Sequence, residues 1–472
     1  MNLIVKDNNF IGYDIDPQHR EDLYRIADCR LDSLTDSYDN ELWLFPRKGD
    51  RNTDKIEDQT IISIIVNRFT TGNIMGFVGT GNTELTISSR FSPENGRDWF
   101  MQYMLQKVFA INIFNLKHGK GMDSALNISA LMFPHFLQKA LSQGVYREYV
   151  RREHNDSRPK GAINVNDHIK SNYPFKNGKI SYSTREYIYD NTVTQLIRHT
   201  IEFLKTDRMT WEILYANPDT QANIKQIINA TPTYQRSDRR KILLANTKPK
   251  IHPYYSEYRP LQKLCLQILR REKLSYGQSS DRIYGVLFDG AWLWEEYLNL
   301  TLSKAGFKHP ENKTGKHKLY PFKSKNRYAR YPDFIHNDII ADAKYKKLIK
   351  LKDDEGQIYE GIDRNDLNQM VSYMHITASR KGIFISPTIL NIMNPSNGVY
   401  YDDTEFVIKK EHLLTYRVGE LNGHGGEIII IGVNIPSSKV KYEDFVGAMQ
   451  NTETVLLDTL NQIILGKEEF NS

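Results

Sequence analysis

Cysteine is nearly missing: Cys29 and Cys265 stand isolated and far apart in a chain of 472 residues. Two lone thiols exclude a disulfide scaffold and any CxxC-based zinc ribbon, and they fit a reducing cytosol. Long apolar runs are missing too. The longest, Ile61–Val66, has strand length, against the roughly 18 residues that a membrane-spanning helix needs. The first residues, MNLIVKDNNF, show no basic start followed by an apolar stretch. Neither a secretory leader nor a membrane anchor is therefore expected, and a cytoplasmic location is.

Three catalytic signatures are absent as well. Gly76-Phe77-Val78-Gly79-Thr80-Gly81-Asn82 is glycine-rich, but Thr83-Glu84 follows where a phosphate-binding loop needs Lys-Ser/Thr. The segment reads as a hairpin turn, and any nucleotide-driven motor has to come from another chain. The 13 histidines include no HExxH pair, which argues against zinc hydrolysis. No GxSxG nucleophile elbow occurs.

What is present is a long, aromatic-rich chain. Its length exceeds one ordinary core, so two to four domains of roughly 150 residues are expected. An apolar fraction of 40% with 11% aromatics supports packed cores and argues against long disorder. A net charge of +6 permits a polyanionic partner without demanding one.

Hydrophobic periodicity divides the chain into three parts. Residues 1 to about 115 read as an α+β domain with strands at Ile61–Val66, Met75–Val78 and Thr83–Ile87 and a helix over Trp99–Phe114. Residues 116–275 read as mainly helical, with an inserted strand pair at Gly161–Val165 and Lys179–Ser183. A helix capped by Asp190 or Asn191 carries the periodic set Val193, Leu196, Ile197, Ile201 and Leu204. Segment 236–250 is basic and reads as a connection or an exposed helix end. From 276 the expected order is a helix over Tyr284–Ala305, two strands flanking His336-Asn337-Asp338, a helix over Asn365–Ser379 and a strand at Gly382–Ser386 stopped by Pro387. The buried strand Glu427–Ile431 and a closing helix, Tyr442–Leu465, complete it. The fold class is α/β (α+β overall).

The chemistry concentrates at Tyr331-Pro332-Asp333-Phe334-Ile335 and Ile339-Ile340-Ala341-Asp342-Ala343-Lys344-Tyr345. Side chains two apart on a strand share a face, so Asp342 and Lys344 project together. A short turn brings Asp333 alongside. An apolar strand holds two charges only if they have partners. A divalent cation held by Asp333, Asp342 and the Ala343 carbonyl would supply one, with Lys344 beside a metal-bound water. An ordinary ion pair on an edge strand also produces Asp-x-Lys, and the Pro-Asp nine residues before Asp342 is what favours the metal centre.

Flanking helices add candidates. Glu295 lies on the apolar stripe of Phe288, Ala291, Trp292, Leu298 and Leu302, as a further carboxylate or as a boundary residue, with Glu296 as the fallback. Gln369 and Tyr373, four apart, face the same way and could bond a phosphate or steady Lys344, or form an ordinary half-buried face. Between Lys308 and Arg330 stand eight Lys/Arg against one acid, interleaved with Tyr320, Phe322 and Tyr328. Of these, Lys323, Lys325, Arg327 and Arg330 are candidates for tracking a DNA backbone, the alternative being a solvated loop.

The order Glu295, Pro332-Asp333, Asp342-Ala343-Lys344, Gln369-x-x-x-Tyr373 resembles the PD-(D/E)xK nuclease superfamily, in the branch with a QxxxY helix. With Phe288-Asp289-Gly290-Ala291-Trp292-Leu293-Trp294-Glu295 and the upstream block Glu186–Ile197, the chain more narrowly resembles the McrC/LlaJI group of restriction subunits. The resemblance implies a nuclease domain over 276–472 with a mixed central sheet flanked by helices, preceded by an N-terminal domain that engages a partner and a helical middle. It implies an Mg²⁺-dependent endonuclease, with Mn²⁺ as a possible substitute, acting on double-stranded DNA with an McrB-like AAA+ GTPase hexamer. A non-catalytic activator of that GTPase, and a repair or recombination nuclease without a motor, are the competing readings.

Overall fold

A computed structural model describes residues 2–37, 42–46, 56–92, 98–109, 125–274 save 176 and 216, 283–310, 318–351 save 324, 358–389, 406–409, 412–436 save 424, and 441–466. The architecture is mixed α/β, in two compact units: Met1–Ala110, Lys117–Ala125 and Ser279–Ser472 form one, and Ile111–Leu116 with Leu126–Gln278 the other.

The first unit contains two principal sheets. One is five-stranded, in the order Asn2–Lys6, Thr83–Ser88, Ile74–Thr80, Ile283–Asp289, Leu42–Phe45. The strand Ile283–Asp289 occupies most of the segment expected to begin the Tyr284–Ala305 helix. Its run of β-branched and aromatic residues is buried nearly throughout, which suits a central strand better than a one-sided helix. The helix starts only at Gly290 and runs to Leu302. Asp289 caps it, accepting from the N–H groups of Ala291 (2.9 Å) and Trp292 (3.0 Å). Because Ile283–Asp289 is bonded between two N-terminal strands, segments 1–115 and 276–472, expected as separate domains, share one compact unit. Gly76 permits this pairing: a Cβ there would lie 2.1 Å from the Val286 carbonyl oxygen, at a φ of +125°.

The other sheet is six-stranded and mixed: Phe334–His336, Ile339–Ala343, Lys381–Thr388, Glu427–Asn434, Leu413–Glu420, Phe406–Lys409. Its three strands Ile339–Ala343, Lys381–Thr388 and Glu427–Asn434 run parallel. Pro387 does not stop its strand but lies within it, opposite Val433. The helix Arg364–Thr377 packs Met370, Tyr373 and Met374 onto Ile340, Phe384, Ile428 and Ile430. Gly382 lets it approach, since a Cβ there would meet the Met374 and Met370 sulfurs at 2.7 and 2.9 Å. The helices Gly290–Leu302 and Tyr442–Ile464 also pack on this sheet.

In the second unit the helix Thr192–Leu204 buries the expected Val193, Leu196, Ile197, Ile201 and Leu204, and Asn191 is its cap, in a capping box with Thr194. The strand Ile180–Ile188 pairs over nine residues with Glu148–Asp156, and only at Tyr182 and Ser183 with Ala162–Ile163. The expected partner Gly161–Val165 is thus the minor one. Most of Glu148–Asp156 is exposed, so the strand carries no hydrophobic alternation to find. Segment 236–250 holds a short helix, Arg239–Ala245, that buries Ile242 and Leu243. The Trp99 helix ends at Val108, and residues 110–114 of the expected span lie outside the described residues.

Candidate active site

Asp342 and Lys344 leave one face of the strand Ile339–Ala343 and its continuation. The strand is forced into register by its antiparallel pairing with Phe334–His336, turning at Asn337, whose φ is +47°. Asp333 sits one residue before that partner strand rather than within it. Its Oδ2 accepts the Ala343 N–H at 2.8 Å, so the carboxylate itself continues the pairing and is pinned beside Asp342. The His309 ring bonds the Asp333 carbonyl at 2.7 Å.

Lys344 Nζ stands 2.7 Å from Asp342 Oδ2 and 3.4 Å from Asp366 Oδ1, and donates to Gln369 Oε1 at 2.7 Å. Gln369 Nε2 donates to the Tyr373 hydroxyl at 2.8 Å, and that hydroxyl donates to the Tyr331 carbonyl at 3.1 Å. Helix and strand are thereby joined by a chain of bonds ending on the lysine ammonium. The side chains of Asp342 and Lys344 are only 3% and 17% exposed.

Burial, with the Asp333 charge adding to it, pushes the Asp342 carboxyl up to about 7 against the pull of Lys344. Burial alone would lower the Lys344 pKa; the carboxylates of Asp342, Asp366 and Asp333 outweigh it and raise it. The lysine is therefore a fixed cation and donor, not a proton acceptor, at neutral pH. Burial and the charges of Asp342 and Asp333 likewise hold the Tyr373 phenol protonated.

These groups line a cavity of about 410 Å³ together with Asn73, Ala291, Glu295, Tyr331, Tyr345, Lys346 and Asp366. Glu295 faces it and lies 3.6 Å from His309 Nε2. Glu296 is not in the cavity wall; it accepts the Trp292 indole N–H at 3.1 Å. Lys323, Lys325 and Arg327 are exposed outside the cavity, and Arg330 is half-buried against Ser372. Lys313 and Lys316 lie outside the described residues.

Several wall residues were given no role from the sequence, Asp366, Lys346, Asn73 and Tyr345 among them. Asp366 had a findable signal, since it lies three before Gln369 and seven before Tyr373 on one helical stripe. It also pairs with Lys346. Asn73 and Tyr345 had none, because both depend on long-range packing. The buried Tyr345 hydroxyl bonds Ser89 Oγ at 2.7 Å, and the Arg90 guanidinium lies 4.9 Å above its ring. The segment that follows the strand Thr83–Ser88 thereby holds the residue next to Lys344.

The family described as McrBC 5-methylcytosine restriction system component matches residues 69–387, a span that holds every residue of this cavity. The chain belongs to that family. Among solved structures, a half-complex of Thermococcus gammatolerans McrB AAA+ hexamers with bound McrC is similar at 14% identity and a TM-score of 0.45, covering 96% of this chain and 99% of that one. A Thermococcus gammatolerans McrBC complex is similar at 14% identity and a TM-score of 0.35, covering 65% and 88%. No curated protein matches. Membership makes this McrBC-family chain a restriction-system component. No helix among its described residues is long and apolar enough to cross a membrane.

Proposed function

We propose that this chain is the DNA-cleaving subunit of its restriction system, a Mg²⁺-dependent PD-(D/E)xK endonuclease acting with an McrB-like AAA+ GTPase. The observation that carries the reading is the convergence of Asp333, Asp342 and Lys344 at one sheet edge, with Gln369 bonded to the lysine and Tyr373 bonded to Gln369.

A hard cation fits the residues present. Two neighbouring carboxylates, one buried enough to titrate near 7, gain from a divalent ion between them. Among the described residues no three His, Cys, Asp or Glu side chains stand as a ready-made metal cluster. Mg²⁺ would keep several waters and needs few protein ligands. Asp333, Asp342 and the Ala343 carbonyl would hold it, with Glu295 as a further carboxylate. When bound, it supplies Lewis-acid polarisation of the scissile phosphate and a more acidic water.

The chain's own groups do the rest. Lys344, fixed as an ammonium, orients the attacking water and balances the negative charge that grows on the phosphate. Gln369 and Tyr373 hold the ammonium in place. The exposed Lys323, Lys325 and Arg327, with Arg330, meet the DNA backbone on approach to the cavity.

Cleavage of plasmid DNA by the chain with its cognate GTPase, GTP and Mg²⁺ tests this. Asp342→Asn and Lys344→Ala should each cut on the order of 10³-fold more slowly while still stimulating GTP hydrolysis. Undiminished cutting by either would reject the assignment. Loss of GTPase stimulation along with cutting would show a folding defect instead, which circular dichroism resolves.

A further inference from the structure

The cavity has a wall that the nuclease motifs do not account for. Asn73, in the turn between the N-terminal strands Arg68–Thr71 and Ile74–Thr80, lines it beside Ala291 and Glu295. Its two polar ends have separate tasks. The backbone carbonyl accepts the Gly290 N–H at 2.9 Å, fixing the start of the helix that bears Glu295. The side-chain oxygen accepts from Arg90 Nη2.

Arg90 can only donate, so the amide oxygen must face it and the amide NH₂ must face away. Arg90 is itself held by Asp7, through Nε at 3.0 Å and Nη2 at 2.7 Å, and the Asp7 side chain is fully buried. Its charge is thus balanced inside the protein. Asn73 is thus an exposed residue of the cavity wall whose amide nitrogen is turned away from Arg90; among the described residues no partner for Nδ2 occurs.

The rest of the wall explains what that donor could meet. Asp333, Asp342, Asp366 and Glu295 are carboxylates, and the cationic donors Lys344 and Lys346 are each paired with carboxylates, Asp342 and Asp366 for the one and Asp363 and Asp366 for the other. A phosphodiester entering so acidic a cavity gains from a neutral N–H that no carboxylate already holds. Resting on the nuclease reading, we propose that Asn73 is a substrate-binding residue that donates from Nδ2 to a non-bridging oxygen of a DNA phosphate in the cavity, oriented for this by Arg90. The N-terminal sheet then contributes directly to the substrate site.

Two substitutions separate this from a merely structural role. Asn73→Asp keeps an oxygen for Arg90 and replaces the donor by a negative oxygen; Asn73→Ala removes both. Affinity for a short DNA duplex is read by fluorescence anisotropy in Ca²⁺. Cleavage is read in Mg²⁺ with the cognate GTPase, using the full-length chain. The expected order of affinity is wild type, then Asn73→Ala about tenfold weaker, as for a lost hydrogen bond to a charged acceptor, then Asn73→Asp weaker still. Asn73→Asp matching wild type, or exceeding Asn73→Ala, would overturn the proposal and leave Asn73 as a brace for Arg90. A wild type that cuts no better than Asp342→Asn would instead remove the nuclease reading beneath it. A cleaving wild type with both Asn73 variants unchanged would remove this proposal alone.

Discussion

Lys344 is defined by what it touches rather than by its place in a motif. Asp342, Asp366 and Gln369 surround its ammonium, so the charge stays on and the geometry is set from a helix 25 residues away. Gln369→Ala should slow cleavage about tenfold, near 1.4 kcal/mol of transition-state stabilisation, in kcat rather than KM. Tyr373→Phe, which leaves Gln369 without its hydroxyl partner, should do less. A KM effect in either would make them substrate ligands instead.

A second residue tests the electrostatics away from the site. Asp98 caps the helix Trp99–Val108 from a buried position, accepting from Met101 N–H at 2.9 Å and from Ser89 N–H. Burial raises its carboxyl from 3.8 to about 6. The folded protein therefore binds its proton more tightly than the unfolded chain does. That stability is fully present below pH 3.8 and is lost as pH rises through about 6, to a total near 3 kcal/mol at most. Asp98→Asn should remove this slope. The difference in unfolding free energy between variant and wild type should change between pH 4 and 6 and stay flat above. A slope of opposite sign would contradict the assignment.

Among the elements, those with one wet face or a long apolar run were legible in advance. The lysine strand, the Gln369 helix, the Asn191-capped helix and the strand from Glu427 stand where periodicity placed them. Two kinds were not. Glu148–Asp156 is charged on both faces, so nothing in its pattern marks a strand. Ile283–Asp289 is apolar on both faces and runs straight into a helix, so the two merged into one expected helix. The joint it makes is tight at Gly76. Gly76→Ala should lower the melting temperature by several degrees, because a Cβ cannot coexist with the Val286 carbonyl and the backbone there is left-handed. An unchanged melting temperature would mean that the two strands can separate without cost.

For the whole molecule, sequence supplied the aspartates, the lysine and the QxxxY helix, but not the N-terminal contribution to the same cavity. Motif spacing reports on neighbours along the chain, whereas Asn73 reaches the site, and Ser89 its wall residue Tyr345, beside a sheet assembled from both ends of the chain. A fragment beginning at 276 would carry Ile283–Asp289 without either bonded neighbour, Leu42–Phe45 or Ile74–Thr80. Such a buried apolar strand, stripped of both partners, should aggregate. Expression of 276–472 alone is expected to give insoluble or protease-sensitive protein; a stable monomer would show that the N-terminal strands are dispensable. Every catalytic role proposed above requires that Asp333 and Asp342 bind a divalent cation. Calorimetric titration of Mn²⁺ into the full-length chain tests that most directly. Saturable binding by wild type that Asp342→Asn abolishes, with both proteins equally folded, is the expected result; equal binding by the two, or none by wild type, would contradict it.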